Sequence, residues 1–148
     1  TLLKGEMEYS YRHVKTLEND SVIILSGRLQ LERADSAVLS DRRKEFMKKR
    51  QQTQPIDLPS SGSVFKNPKG DHAARLIERC GLKGYRIGRA MISDKHANFI
   101  VNTGEAKADE VLQLMKLARK KVQEQFGITL ELEVKLVGFD PAEFEETV

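Results

Sequence analysis

Between Glu105 and Val137 the hydrophobic pattern changes period once, from helical to extended, across a single glycine. Ala108, Val111, Leu112, Met115, Ala118, Val122 and Phe126 follow the i, i+3, i+4, i+7 spacing of one helix face. This predicts a helix over roughly Glu105–Phe126, ended by a left-handed Gly127. From Ile128 to Val137 the period becomes two. Ile128, Leu130, Leu132, Val134 and Leu136 take one face; Thr129, Glu131, Glu133 and Lys135 take the other. A helix that must bury one stripe, followed at once by a strand that must bury one face, calls for a layered α+β domain.

The rest of the chain supplies the other elements. Val22–Glu32 alternates, with Ile23, Leu25, Gly27, Leu29 and Leu31 on one face, and predicts a half-buried strand. Asp35 or Ser36 caps a helix to about Gln52 whose apolar stripe (Val38, Leu39, Phe46, Met47) is thin. Thr53–Gly62, with Pro55 and Pro59, is a loop. Ser63–Lys66 is a short strand, followed by the turn Asn67–Gly70. Asp71 caps a helix with Ala73, Leu76, Ile77 and Cys80 inward and Gly81 at its end. Arg86–Ile92 and Asn98–Asn102 are strands separated by the polar turn Ser93–His96. Asp140–Val148 is acidic and frays. The expected architecture is a mixed, largely antiparallel sheet with helices packed on one face.

Composition narrows the function class only slightly. The 148 residues carry 25 Lys+Arg against 22 Asp+Glu, a net charge of +3 that does not by itself imply nucleic acid. No apolar run approaches the ~20 residues of a membrane span. Cys80 is the only cysteine, which excludes an internal disulfide and any multi-cysteine metal site. The three histidines, His13, His72 and His96, show no zinc spacing, so no metal is expected. The chain opens at Thr1 without a signal-peptide pattern, as a fragment or a processed chain would. Neither nucleotide-binding glycine fingerprint is present. The cationic stretch Arg42–Arg50 could meet phosphates but is diluted by Glu45, and a solvated helix face is the simpler reading. The segment Ser60–Asn67 has more chemistry. Gly62 admits close backbone approach, Ser63 offers a hydroxyl, and Lys66 and Asn67 offer a charge and an amide.

Gly62–Pro68 reads GSVFKNP, and this string resembles a signature of the UDP-N-acetylenolpyruvoylglucosamine reductase (MurB) family. Gln54-Pro55 before it, Gly81-Leu82-Lys83-Gly84, Ser93–Asn102 (SDKHANFIVN) and the closing Phe126–Val134 agree in order. The likeness is densest over Gln54–Gly138. Family members are about twice this long. The resemblance therefore implies that residues 1–34 are the end of an FAD-binding domain and 35–148 the substrate-binding domain. The direct passage from Leu31 to Asp35 resembles the shorter subtype, which lacks a tyrosine-bearing insertion.

The implied reaction reduces UDP-N-acetylglucosamine enolpyruvate with NADPH through FAD, in cytoplasmic peptidoglycan precursor synthesis. Hydride at the terminal carbon drives negative charge onto the carboxylate, which needs positioned donors, and the adjacent carbon then needs a proton. By resemblance, Ser63 donates that proton, while Glu133 and Arg12 stabilise the enolate. Asn67, Lys66, His96 and Arg50 match positions lining the substrate pocket. After Tyr11-Arg12 the family often has Asp-Ser, where this chain has His13-Val14. Arg89 stands where a glycine is common, and either crowds the pocket or adds a phosphate contact. The resemblance assigns no residue here to the flavin, no nucleic acid and no membrane. Two alternatives remain: a UDP-sugar-binding module without turnover, and a basic phosphate- or nucleic-acid-binding domain. The second lacks the interleaved aromatic residues of a stacking platform.

Overall fold

The computed structural model describes residues 2–10, 13–15, 22–140 and 144. The chain divides into two units, Thr1–Ser36 and Ala37–Val148. In the first, Tyr9–Ser10 (β1) pairs antiparallel with His13–Val14 (β2). The strand predicted over Val22–Glu32 is not formed. These residues carry no regular structure, and Ile23 and Leu25 are 80% and 92% exposed. Alternation marks a face that could be buried, but a strand exists only where a neighbour completes its ladder. None of the described residues pairs with this segment.

The second unit contains three helices and a four-stranded sheet. Helix α1 spans Ser36–Thr53, close to its predicted bounds, with no buried residue; Val38, Leu39, Phe46 and Met47 all face outward. It stops before Pro55, whose ring disfavours helical geometry in the preceding residue. Strand β3 is Ser60–Ser63, three residues earlier than the predicted Ser63–Lys66. Helix α2 is Ala73–Arg79, β4 Arg86–Ile87, β5 Ala90–Ile92, β6 Phe99–Asn102 and α3 Ala108–Phe126. The sheet order is β3-β6-β5-β4, and every pairing is antiparallel rather than mixed. Helix α3 packs on β4 and β5, and α2 packs against α3. The core between them holds Phe65, Leu76, Ile77, Ile92, Leu114, Met115, Ala118, Val122 and Leu130.

Two predicted strands change form. Arg86–Ile92 is a hairpin, with Ile87 opposite Ala90 and only Gly88-Arg89 between. Gly88 takes φ +54, the first-position glycine that a tight two-residue turn requires. A run of apolar residues cannot reveal such a reversal when the turn residues sit inside it. Ile128–Val137 is not a ladder strand: it touches the sheet layer through one bridge, Leu132 opposite Phe65. Its alternation still operates, since Leu130 is buried and Glu131 and Glu133 are exposed. Fixing an inward face needs only extended backbone, whereas a strand needs continuous pairing.

Caps also shift. Asp71 does not cap α2. It accepts from the Arg75 guanidinium and from the backbone N–H of His72, which together hold its carboxyl at about 2. The Ala73 N–H instead donates to Asn67 Oδ1 at 3.1 Å. Helix α3 starts three residues later than predicted, after Glu105 at φ +57. It ends at Gly127 with φ 68, as expected. Residues 141–143 and 145–148 of the tail lie outside the described residues; Phe144 is buried, its carbonyl accepting from Arg119 at 3.1 Å.

Glu110 joins the hairpin to α3. Its Oε2 accepts from Arg89 N–H at 3.0 Å and Lys107 N–H at 3.1 Å, which lowers the carboxyl below its usual value. A Cβ at Gly88 would collide with the Glu110 carboxylate. The carboxylate could yield only by giving up those bonds, and the positive φ adds backbone strain. Gly88→Ala is expected to cost roughly 1–3 kcal/mol in urea unfolding. Combined with Glu110→Ala, its cost should be less than the sum of the two single effects, because they share one contact.

Candidate active site

The site forms where β3 leaves the sheet. Ser63 is the last residue of β3 and lies opposite Phe99, the first of β6. Between Ser60 and Ser63 the register slips by a bulge, which re-aims the strand end. Gly62 takes φ +84 there, a conformation that disfavours any side chain. Beyond Ser63 the chain has run off the end of β6, and Asn98 takes over the pairing. Val64 N–H donates to the Asn98 carbonyl at 2.9 Å. The Asn98 side chain then treats Phe65 as a ladder partner: Phe65 N–H donates to Oδ1 at 2.9 Å and Nδ2 donates to the Phe65 carbonyl at 2.8 Å. Asn98 is 4% exposed, so these bonds work away from water. Leaving either Phe65 group unpaired would cost about 1–3 kcal/mol.

The other side of this segment meets the extended chain after α3. Lys66 N–H donates to the Glu131 carbonyl at 2.8 Å, and Glu133 N–H to the Val64 carbonyl at 2.8 Å. The backbones of Ser63 and Glu133 are therefore held one residue apart through Val64. Lys66 Nζ lies 3.3 Å from Glu131 Oε2 in an exposed pair, and such pairs are worth ~0–1 kcal/mol. An anionic ligand can displace that partner at little cost.

A cleft of about 360 Å³ opens beside Ser63, lined by Arg50, Gln54, Pro55, Ile56, Pro59, Gly62 and Phe99, among others. Gln54 Oε1 accepts from Arg50 Nε at 3.0 Å and holds the guanidinium at this wall. Lys95 ties the wall to the sheet. Its Nζ donates to the Gln51 carbonyl near the end of α1 at 3.1 Å and lies 3.7 Å from Asp57. His96 sits edge-on to Phe99, with ring centroids 4.8 Å apart. Its Nδ1 accepts from Asn98 N–H at 3.3 Å, leaving Nε2 as the protonated nitrogen of the neutral ring. Burial, with a smaller effect from Lys83, pushes the His96 pKa below 6.5.

The sequence-predicted residues thus separate. Ser63, Glu133, Lys66 and His96 gather around Val64–Phe65 and Phe99, with Arg50 on the cleft wall. Asn67 is nearby, but its carbonyl oxygen already serves α2. Arg12 lies outside the described residues. Arg89 sits exposed at the β4–β5 turn, at the opposite sheet edge from β3. Sequence reasoning missed Asn98, Phe99, Lys95 and Gln54 as parts of the site. A signal existed for Asn98: an amide between the apolar Ala97 and Phe99 must find partners if buried. Among the described residues no group of three or more His, Cys, Asp or Glu could hold a metal, and no helix is long and apolar enough to cross a membrane.

A family model for the C-terminal domain of UDP-N-acetylenolpyruvoylglucosamine reductase matches residues 54–137. The chain belongs to that family. The matched span contains Ser63, Lys66, Asn67, His96 and Glu133 and leaves Arg12 and Arg50 outside. The chain is 47% identical to UDP-N-acetylenolpyruvoylglucosamine reductase 2 of Symbiobacterium thermophilum, over 95% of its own length and 45% of the relative's. It is 51% identical to the reductase of Chloroherpeton thalassium, over 93% of its length and 46% of the relative's. It therefore spans about half the length of these curated relatives. The crystal structure of the MurB reductase from Thermus caldophilus shares the fold, with TM-score 0.59 and 42% identity. That match covers 73% of this chain and 38% of the other.

The His96 environment sets a pH dependence. Because the folded pKa lies below 6.5, the unfolded chain takes up the proton first. Stability is therefore complete above 6.5 and is lost as pH falls from 6.5 through the folded pKa. Unfolding measured from pH 8 to 5 should show this loss, and His96→Gln should flatten it.

Proposed function

We propose that this chain is the substrate-binding part of a UDP-N-acetylenolpyruvoylglucosamine reductase, acting in the cytoplasm on peptidoglycan precursor synthesis. The observation that carries the reading is the bond from Glu133 N–H to the Val64 carbonyl, which sets Glu133 on the segment beside Ser63, itself next to the cleft-lining Gly62. In this reading Ser63 gives a proton to the carbon next to the carboxylate. Glu133 holds the negative charge that develops on that carboxylate, and Arg12 does so by family resemblance. Lys66, Arg50 and the Nε2–H of His96 face the diphosphate and sugar, with Asn67 beside them.

FAD, re-reduced by NADPH, is the hydride source that the family implies. The resemblance places its binding mainly in the N-terminal half that the relatives carry and this chain does not span. Among the described residues the cleft is open and of small-ligand size, near the low end of the ~300–1,000 Å³ of ordinary ligand pockets. No glycine fingerprint precedes a helix to cradle a dinucleotide phosphate. What these residues supply is the substrate-side chemistry: a proton, donors for developing charge, and cations for a diphosphate. In water a serine hydroxyl is a poor acid, so the step depends on exclusion of solvent when the site is closed.

The reading is tested by a thermal shift of this chain with UDP-N-acetylglucosamine enolpyruvate, with UDP as control. A ligand at a hundredfold excess over its Kd stabilises by about 2.7 kcal/mol. The shift should shrink in Arg50→Ala and Lys66→Ala. In the holoenzyme, Ser63→Ala should lower kcat by about 10²- to 10⁴-fold with binding retained. Absence of binding both to this chain and to the holoenzyme that contains it would overturn the reading.

A further inference from the structure

We propose that Asn98 is a positioning residue for proton transfer, aiming the Ser63 hydroxyl by clamping the chain that follows it; this rests on the reading of Ser63 as proton donor. Among the described residues no hydrogen bond holds the Ser63 side chain. A hydroxyl on a single Cβ then points where its backbone and one rotamer send it. That backbone is secured on the upstream side by the Ser63–Phe99 pairing, across a bulge that interrupts the register. On the downstream side nothing in β6 remains to pair, because the strand begins at Phe99. Asn98 supplies the missing pairing with three bonds: its carbonyl to Val64, and its amide to both backbone groups of Phe65.

The geometry is that of a side-chain peptide inserted into a sheet. One donor and one acceptor must be presented together to one residue, and of the ordinary short side chains only asparagine carries both on a planar amide. Replacement by an apolar residue leaves Phe65 N–H and C=O buried without partners, and the chain must shift to satisfy them. Ser63 lies two residues upstream and Glu133 bonds to the intervening Val64. A shift of the clamp therefore moves both relative to the substrate. A misplacement of about 1 Å at a reacting group can cost 10²-fold in rate. Among the described residues the hydrogen bonds of the Asn98 side chain go only to the Phe65 backbone, so its loss reaches the site through the Ser63–Lys66 segment.

The experiment uses the holoenzyme containing this chain, with turnover of UDP-N-acetylglucosamine enolpyruvate measured beside thermal unfolding. Asn98→Ala, folded at the assay temperature, is expected to lose about 10²-fold in kcat with a smaller change in KM, since Lys66 on the shifted segment is only one of several anion contacts. Asn98→Asp is the second variant, and decides the matter should Asn98→Ala not fold. Its carboxylate faces the Phe65 carbonyl and repels it; once protonated it regains a donor. Its kcat should therefore rise as pH falls, read as the ratio of Asn98→Asp to wild type with both carrying His96→Gln, because residue 98 bonds the His96 ring. An unchanged kcat in folded Asn98→Ala, or a flat pH ratio in Asn98→Asp, overturns the positioning role alone. A wild-type holoenzyme that binds the UDP-sugar but leaves Ser63→Ala fully active overturns the reading of Ser63, and this proposal with it.

Discussion

The buried amide pair between Asn98 and Phe65 is the constraint on which the rest of the site depends. The sheet ends at Ser63, and the segment that follows must cross from the β3 edge into the core, where Val64 and Phe65 are 1% and 2% exposed. A crossing of that kind strands backbone donors and acceptors away from water. Asn98 satisfies one residue of it from the sheet side, and Glu131–Val134 satisfy its neighbours from the other. The signature segment is thus held as a short central strand, although only one bridge of it qualifies as sheet.

This arrangement explains how polar chemistry sits on an apolar foundation. Val64 and Phe65 point into the core beside Leu130 and Ala73, and they anchor the segment by burial. Ser63 and Lys66 flank them and stay accessible, while Asn67 turns back to begin α2. The cationic groups near the cleft are held by weak partners: Arg50 by a neutral glutamine, Lys66 by an exposed glutamate, Lys95 by a helix-end carbonyl. Exposed pairs of this strength are worth less than a charge-assisted contact to a phosphate, which is what the proposed substrate role asks of these cations.

Much of the fold was legible because its signals are local. The α3 stripe and its terminal Gly127, the bounds of α1 before Pro55, the turn at Ser93–His96 and the inward face of Ile128–Leu136 all follow from spacing and single-residue chemistry. The family membership was legible too, since several short strings stood in the right order. The misses share a cause. The Val22–Glu32 strand, the unbroken Arg86–Ile92 strand and the Asp71 cap each required knowledge of a partner: a neighbouring ladder, a hairpin mate, or an amide arriving from Asn67.

By itself the sequence determined the three helices, the buried faces of α2 and α3, the inward face of Ile128–Leu136 and the α+β class, because these depend on side-chain type and period. Tertiary structure alone decided which residues meet. Asn98 is separated from Phe65 by 33 positions, and Lys66 from Glu131 by 65. No local pattern records that separation. Only closing the sheet brings an amide opposite a stranded peptide, and with it Ser63 beside the chain of Glu133.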